Sequence, residues 1–157
     1  LGGKSSEGMS NDERARTRMS EAERQNALIL LRLAYTLTAT LPGVPCIYYG
    51  DEAGAEGYSD PFNRRFFPWK SRDISLTDFY RRIGAIRREN SDFAHAAISF
   101  TDIGENHVVF TRGKILIAVN RGSTPVLDVI PPGLTDMISG EQTDGNIPAL
   151  RAYICRI

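Results

Sequence analysis

Several residue types that carry specialised chemistry are scarce in this 157-residue sequence. It contains two cysteines, two histidines and one tryptophan, and its 19 Lys and Arg residues balance 19 Asp and Glu residues to a formal charge of zero. Balanced charge argues against a dedicated nucleic-acid binder, whose basic residues concentrate on one face, and against recruitment to anionic membranes by charge alone. With 41% hydrophobic and 24% charged residues, the composition is that of a globular domain, which excludes disordered, collagen-like and coiled-coil chains.

The cysteines and histidines are too isolated for a metal or disulfide framework. Cys46 and Cys155 lie far apart in apolar runs, so we predict two buried free thiols, which weakly favours a cytoplasmic location. His95 and His107 have no Asp or Cys at ligand spacing. The sequence therefore predicts no metal site and no cofactor.

Long apolar runs and a recognisable signal peptide are also absent. The longest apolar stretch, 27–41, is interrupted by Arg32 and is shorter than the roughly 20 residues of a membrane span, so we predict no membrane association. The chain begins at Leu1 rather than Met. Its start, Leu1-Gly2-Gly3, suggests a cut into a longer protein, although a processed terminus would look the same.

The first part of the chain has helical signals followed by one buried strand. Capping-box sequences at 10–13 and 20–23 predict two helix starts, and the second helix runs to about Leu41. Its predicted apolar face consists of Leu30, Ala34, Leu37 and Leu41, widened by Leu28, Leu31 and Tyr35. A Pro-Gly turn then precedes the continuously apolar run 46–49, which is typical of a strand buried on both faces. This order predicts an α/β barrel or doubly wound sheet.

A long irregular segment and a third helix follow. Residues 53–73 show no period and are rich in glycine, proline and aromatics, and long loops of this kind are often functional. We predict that Ser75 caps the next helix, which ends at Asn90 and Ser91. Its predicted buried face consists of Leu76, Phe79, Tyr80, Ile83 and Ile86.

From about residue 96 the hydrophobic period changes from near 3.6 to 2, which predicts a small antiparallel sheet or sandwich. The candidate strands are 97–101, 107–112, 115–120, 125–130, 134–138 and 151–157. The predicted fold class is therefore α/β followed by all-β. The change of composition near residue 93 indicates a domain boundary.

Polar and aromatic residues cluster after the predicted strand. Asp51 and Glu52 lie where a parallel strand would end, the face on which α/β barrels place their active sites. The surrounding candidates are Tyr48, Tyr49, Tyr58, Asp60, Arg64, Arg65 and Trp69. Carboxylates, arginines and aromatic planes suit a carbohydrate cleft, and two of the carboxylates would suit a glycosidase pair.

Structural interpretations of the same residues remain open. Glu52 would serve equally as a cap or in an ion pair, and Tyr48 or Tyr49 as a core residue. The pair Arg64-Arg65 would serve as solvated charge, and Trp69 as a plug of the loop against the scaffold.

Three motifs resemble one family. The run 42–52, PGVPCIYYGDE, resembles the G-x-P-x-x-Y-Y-G-x-E motif that marks the eighth barrel strand in the alpha-amylase superfamily of glycoside hydrolases. The run 60–65, DPFNRR, with FPW at 67–69, resembles elements of neopullulanases, cyclomaltodextrinases and maltogenic amylases. The run 137–141, MISGE, is similar to a turn in the family's C-terminal β domain. The motifs occur in the family's order.

The resemblance implies the end of a (β/α)₈ barrel over 1–93 and a small antiparallel β-sandwich domain over 94–157. Family members cleave α-glucosidic bonds with retention, using an Asp nucleophile, a Glu acid/base and a second Asp. That last Asp belongs to an Asn/Asp-His-Asp motif. Here His95 precedes Ala96 and His107 precedes Val108, so the resemblance implies that this chain holds no catalytic residue and is inactive alone.

The resemblance carries substrate-binding roles onto two residues. Asp60 and Arg64 match positions that contact a glucose unit, whereas Tyr48, Glu52 and Trp69 match positions to which we assign loop support. Asp51 falls on a variable position. The implied substrates of the whole enzyme are maltooligosaccharides, cyclodextrins, pullulan or dextrins, with α-1,4 or α-1,6 bonds.

A non-catalytic carbohydrate-binding module and a structural interaction domain are the competing hypotheses. A truncated barrel must contain the helix–strand unit before residue 52, whereas a binding module does not need it. We also expect that the exposed strand edge and apolar helix flank of a quarter barrel cause self-association.

Overall fold

The computed structural model describes residues 5–157, so the Leu1-Gly2-Gly3 start lies outside the described residues. The helices are α1 Asn11–Arg16, α2 Glu21–Thr40, α3 Ile74–Glu89 and α4 Asp92–His95, with a 3₁₀ turn at Asp51–Ala53 between α2 and α3. The strands are β1 Ile98–Ile103, β2 His107–Arg112, β3 Ile115–Asn120 and β4 Arg151–Arg156.

The first two helix starts are confirmed. The Ser10 and Ser20 side chains cap α1 and α2, with reciprocal contacts from Glu13 and Glu23. The predicted cap of α3 was wrong: Asp73 caps this helix, and its Oδ1 accepts from the Leu76 amide at 2.9 Å. Ser75 lies within the first turn, where its hydroxyl donates to the Asp73 carboxylate instead.

Helix α2 buries only part of the predicted face, because Leu28 and Tyr35 are buried but the other predicted residues are not fully buried. Ala34 and Leu41 are exposed, and Leu30 and Leu37 are only partly buried. The buried residues of α2 are Ala27, Leu28, Leu33, Tyr35, Thr36, Ala39 and Thr40. The buried side is set by packing against α3, since the Tyr35 ring stacks on Tyr80 of α3 with centroids 3.7 Å apart.

The predicted face of α3 is confirmed. Leu76, Ile83 and Ile86 are at most 2% exposed, and Phe79 packs partly buried against the same core. This core also contains Phe110, Ile117 and Ile154 from the sheet. Helices and sheet therefore share one hydrophobic core, and the boundary near residue 93 stays a prediction.

The four strands form one antiparallel sheet in the order β1-β2-β3-β4. β3 is buried along its whole length and pairs with both neighbours, with Ile117 opposite Phe110 and Ile154. The continuous apolar run of β3 follows from this central position, because one face meets the helices and the other meets a second cluster. That cluster consists of Val109, Leu116, Ala118, Ile130, Ile147, Tyr153 and Cys155.

The second face of the sheet is covered by an irregular segment, 121–150, rather than by a second sheet. The predicted strands at 125–130 and 134–138 were wrong, because only isolated bridges form there, such as Val126 with Ile147. Proline at positions 125, 131 and 132 lacks a ladder donor, and Asp128 has a positive φ of 55°. The described part of the chain therefore contains a sheet with a loop layer, not a sandwich.

The predicted strand at 46–49 was also wrong. Residues 44–48 carry no regular structure, and Val44 is 94% exposed. A strand buried on both faces requires neighbouring strands, and no strand between residues 5 and 157 pairs with this segment. Cys46 is consequently exposed, which corrects one of the two buried-thiol predictions. Cys155 is buried, and burial raises the pKa of its thiol to about 12.

None of the helices described is long and apolar enough to cross a membrane.

Candidate functional site

The irregular loop 53–73 is tied down at both ends. The Asp73 amide donates to the Ala53 carbonyl at 2.9 Å, which closes the base of the loop. The Thr77 hydroxyl of α3 donates to the Glu52 carbonyl at 2.8 Å. The Tyr49 hydroxyl donates to the Arg65 carbonyl at 2.9 Å, so the segment before the loop also holds its far side.

The structure brings the two predicted substrate-binding residues together. Arg64 Nε lies 2.6 Å from Asp60 Oδ1, and Arg64 Nη2 donates to Asp60 Oδ2 at 3.0 Å. Two parallel contacts of this kind fix the guanidinium and the carboxylate in one plane. Both side chains are more than half exposed, at 67% and 58%, so the remaining donors and acceptors face solvent.

The tip of the loop folds closely on itself. The Phe62 amide donates to the Ser59 carbonyl, and the Arg64 amide donates to the Pro61 carbonyl. A Cβ atom at Gly57 would lie 2.4 Å from the Phe62 carbonyl oxygen, which only glycine avoids. The turn therefore places Asp60 and Arg64 side by side through backbone geometry.

The three residues predicted to support the loop act in different ways. Glu52 accepts the Gly50 amide at 2.9 Å and stabilises its own turn. Tyr48 contacts Tyr49, with ring centroids 5.0 Å apart. Trp69 contacts Phe67 at 4.6 Å but is 72% exposed, so the interpretation of Trp69 as a buried plug was wrong. The hydrogen bond to the loop comes from Tyr49, which the support prediction omitted.

Asp51 lies at the start of the loop as a half-buried carboxylate. Burial, followed by the charge of Glu52, raises the pKa of Asp51. Burial also raises the pKa of Tyr80 above its ordinary value, and Asp51 adds to that effect. The Asp51 carboxylate accepts no hydrogen bond from residues 5–157.

Arg65 differs from its neighbour Arg64 because it holds structure together. Its Nη2 donates to the Ala15 carbonyl of α1 at 2.9 Å. Burial lowers the pKa of Arg65, with a further decrease from Arg18. Glu56 makes a second contact between the loop and the segment joining α1 to α2. Its carboxylate accepts the Met19 amide at 3.1 Å and lies 3.6 Å from Arg18 Nε. Glu56 and Arg18 were not predicted from the sequence, because no local spacing connects them.

The motif at 137–141 is structural. The neighbouring Asp136, 1% exposed, accepts the Ile138 and Ser139 amides and the Ile154 amide of β4. This carboxylate therefore ties the turn to the sheet.

Histidines and acidic residues form no metal centre in the described part of the chain. No group of three or more His, Cys, Asp or Glu side chains there is placed to hold an ion. His107 pairs with Asp102 at 2.9 Å within the β1–β2 hairpin.

Comparison with known proteins gives a consistent group of enzymes. No family model matches the chain. It is 48% identical over 71 residues to an amylopullulanase from Thermoanaerobacter thermohydrosulfuricus, covering 45% of this chain and 5% of that protein. It is 35% identical over 101 residues to a cyclomaltodextrinase from Thermoanaerobacter pseudethanolicus, covering 60% of this chain and 17% of that protein.

The fold agrees with these matches. The maltogenic amylase from S. marinus superposes with a TM-score of 0.67 at 26% identity, covering 82% of this chain and 19% of that chain. The chain belongs to the alpha-amylase family. Within that family it corresponds to the C-terminal region, and it spans less than a fifth of the length of the relatives described above.

Membership in the alpha-amylase family explains the architecture in part. The four-stranded antiparallel sheet with its helices is consistent with the family's C-terminal β domain. The family's enzymes are glycoside hydrolases, and the carbohydrate role of the 53–73 loop stays a prediction.

Proposed function

We propose that this chain is the C-terminal part of a retaining α-glucan hydrolase. Residues 1–93 would supply the last helices and the eighth strand of a (β/α)₈ barrel, and residues 94–157 would form its β domain. The observation that carries the proposal is the Asp60–Arg64 pair, held in one plane at the tip of a loop that follows the 42–52 motif. The whole protein would hydrolyse α-1,4 or α-1,6 bonds in maltooligosaccharides, cyclodextrins, pullulan or dextrins.

The exposed segment before the loop supports the barrel part of the proposal. Ile47, Tyr48 and Tyr49 are 43%, 46% and 47% exposed, although their sequence is typical of a buried strand. Neighbouring barrel strands would cover these side chains and satisfy their backbone groups. The same segment would then deliver the 53–73 loop to the carboxyl end of the barrel, where such enzymes place their sites.

Substrate binding is the role we assign to Asp60 and Arg64. Because the pair already satisfies one side of each group, a glucose unit would use the remaining carboxylate lone pairs and guanidinium donors. Hydrogen bonds to charged groups contribute about 1.5–3 kcal/mol each. Two of them together, about 3–6 kcal/mol, correspond to dissociation constants from roughly several millimolar to tens of micromolar before the entropic cost of association is subtracted, which is enough to orient a glucan.

Hydrolysis requires residues that we do not place in this chain. The family's catalytic Asp motif has no counterpart beside either histidine, and two of the candidate carboxylates have other roles: Asp60 pairs with Arg64, and Glu52 accepts the Gly50 amide of its own turn. We therefore propose that the 157-residue chain binds glucans weakly and does not cleave them.

The test is a titration of the purified chain with maltotriose, followed by amide chemical shifts. We expect shifts at residues 58–65 that are lost in Asp60→Asn and in Arg64→Gln, while reducing-end release from maltotriose, pullulan and β-cyclodextrin stays at the buffer level. The matched control is the Asp78–Arg81 pair on α3, also exposed and 2.9 Å apart, where Arg81→Gln should leave binding unchanged.

Two results would contradict the proposal. Equal binding by the wild type and both loop variants would remove Asp60 and Arg64 from the site. Turnover that disappears in Glu52→Gln or Asp60→Asn would show that this loop holds its own catalytic pair.

A further inference from the structure

A cleft of about 250 Å³ lies between α2 and the start of the loop, and none of the three sequence motifs predicts it. One wall is the face of α2 that carries Arg24, Ala27, Leu28 and Leu31. The opposite wall is formed by Asp51 and residues 54–58, and residues 17–19 close one end. We call this space the α2 cleft.

The floor of the α2 cleft is apolar. Ala27 and Leu28 are buried at 8% and 5% exposure, and Leu31 is partly buried. Gly54 keeps the floor accessible: a Cβ atom there would lie 3.1 Å from both Arg24 Nη2 and Leu28 Cδ2, and its φ of 67° also favours glycine. A flat apolar surface of this kind suits the carbon face of a ring.

Unused hydrogen-bonding groups surround that floor. The Asp51 carboxylate and the Tyr58 hydroxyl make no hydrogen bond to any residue from 5 to 157. Arg24 donates from Nη1 to the Gly54 carbonyl at 2.9 Å, which leaves its Nη2 without such a bond in the same part of the chain. The cleft thus presents acceptors, a strong donor and a hydroxyl that can do either.

The charges around the cleft are balanced. The lining contains two acidic residues, Asp51 and Glu56, and two arginines, Arg18 and Arg24. Glu56 already lies 3.6 Å from Arg18 Nε, and the formal charges of the lining cancel. The volume is below the 300–1,000 Å³ range of pockets for drug-sized ligands, which favours a single small ring. An uncharged ligand with hydroxyls at its edge and carbon on its face satisfies all of these features.

We propose that the α2 cleft binds one pyranose ring, at a site separate from the Asp60–Arg64 pair. Asp51 accepts hydrogen bonds from the ring hydroxyls, Arg24 and Tyr58 complete the polar edge, and Leu28 and Leu31 pack under the ring. The choice of a glucose unit rests on the proposed function. Tyr58 lies two residues before Asp60, so one loop would carry contacts to both sites.

The test is a titration of the 157-residue chain with glucose, followed by the amides of 54–58 and the methyl groups of Leu28 and Leu31. We expect shifts at these groups, and at least a tenfold weaker affinity in Asp51→Ala, which corresponds to about 1.4 kcal/mol. Leu31→Trp adds a bulky side chain to the apolar floor and keeps Asp51, Arg24 and Tyr58 in the sequence, and we expect it to abolish the same shifts. Thermal unfolding of each variant verifies that it is folded.

The results distinguish a failure of the cleft proposal from a failure of the proposed function. In Asp60→Asn the cleft shifts should persist, because that residue lines no part of the cleft. Shifts confined to 59–65 and unaffected by Asp51→Ala would overturn the cleft proposal and leave the proposed function intact. Inorganic phosphate that shifts the cleft residues at lower concentration than glucose would also overturn it, in favour of an anion site.

Discussion

Arg112 shows how a single side chain joins the helices to the sheet. It lies on β2, is 2% exposed, and donates to three backbone carbonyls, those of Thr40, Phe93 and Ala96. These carbonyls belong to the last residue of α2, to α4 and to Ala96 directly after α4, so one guanidinium connects β2 with both helices. Burial, with a contribution from Arg87, lowers the pKa of Arg112.

Replacement of this residue should be costly. Arg112→Met keeps most of the volume but leaves three carbonyls without donors, and each buried unsatisfied group costs about 1–3 kcal/mol. We expect the free energy of unfolding in urea to fall by roughly 3 kcal/mol or more. Arg81→Met, at an exposed pair on α3, should change it by less than about 1 kcal/mol. Equal effects of the two substitutions would contradict the role given to Arg112.

At the scale of the element, the start of α3 depends on a carboxylate rather than on the predicted serine. Burial would raise the pKa of Asp73. The hydrogen bonds from the Leu76 amide and the Ser75 hydroxyl, with the charges of Arg32 and Arg24, outweigh that effect and lower it. Asp73 also closes the base of the 53–73 loop through its amide. The cap therefore fixes both the helix and the loop that carries the candidate site.

Substitution and pH should reveal this cap. Asp73→Ala should reduce the free energy of unfolding by about 1 kcal/mol at neutral pH, whereas Ser75→Ala should cost less. Because the folded pKa lies below the unfolded value of about 3.9, the stabilisation is complete above that pH. It should be lost as the pH falls through the folded pKa. A larger loss in Ser75→Ala than in Asp73→Ala would restore serine as the cap.

At the scale of the whole molecule, one surface is unusually apolar. It consists of Leu41, Val44, Ile47, Tyr48 and Tyr49, and the exposure of these side chains ranges from 36% for Leu41 to 94% for Val44. We call it the 41–49 face. Apolar surface of this kind promotes association, and the backbone of 44–47, which makes no hydrogen bond within residues 5–157, adds free donors and acceptors.

We predict that the purified chain self-associates through the 41–49 face. Light scattering at micromolar concentration should show dimers or larger species, and the double variant Val44→Asp, Ile47→Lys should return the chain to a monomer, because charge opposes burial of this surface. A monodisperse wild-type monomer would contradict the prediction. It would favour the competing hypothesis of an independent carbohydrate-binding module, which needs no covering strands.

Some features of this protein follow from short stretches of sequence. The capping boxes at Ser10 and Ser20 form as predicted because all of their partners lie within three residues. Strands β2 and β3 have the predicted bounds, 107–112 and 115–120, because a two-residue turn joins two runs of strong strand formers. Asp60 and Arg64 are also only four residues apart in one turn, so the sequence motif identifies the pair directly.

Other features exist only because distant segments meet. The run 46–49 has the composition of a strand, but a strand forms only beside partner strands, and its neighbours here do not provide them. The α2 cleft joins residues more than thirty positions apart, and Arg112 reaches a carbonyl seventy-two positions away. Sequence therefore determined the local caps, turns and the family motif. Tertiary structure decided which faces are buried and which polar groups are left without partners, because burial depends on what packs against a segment.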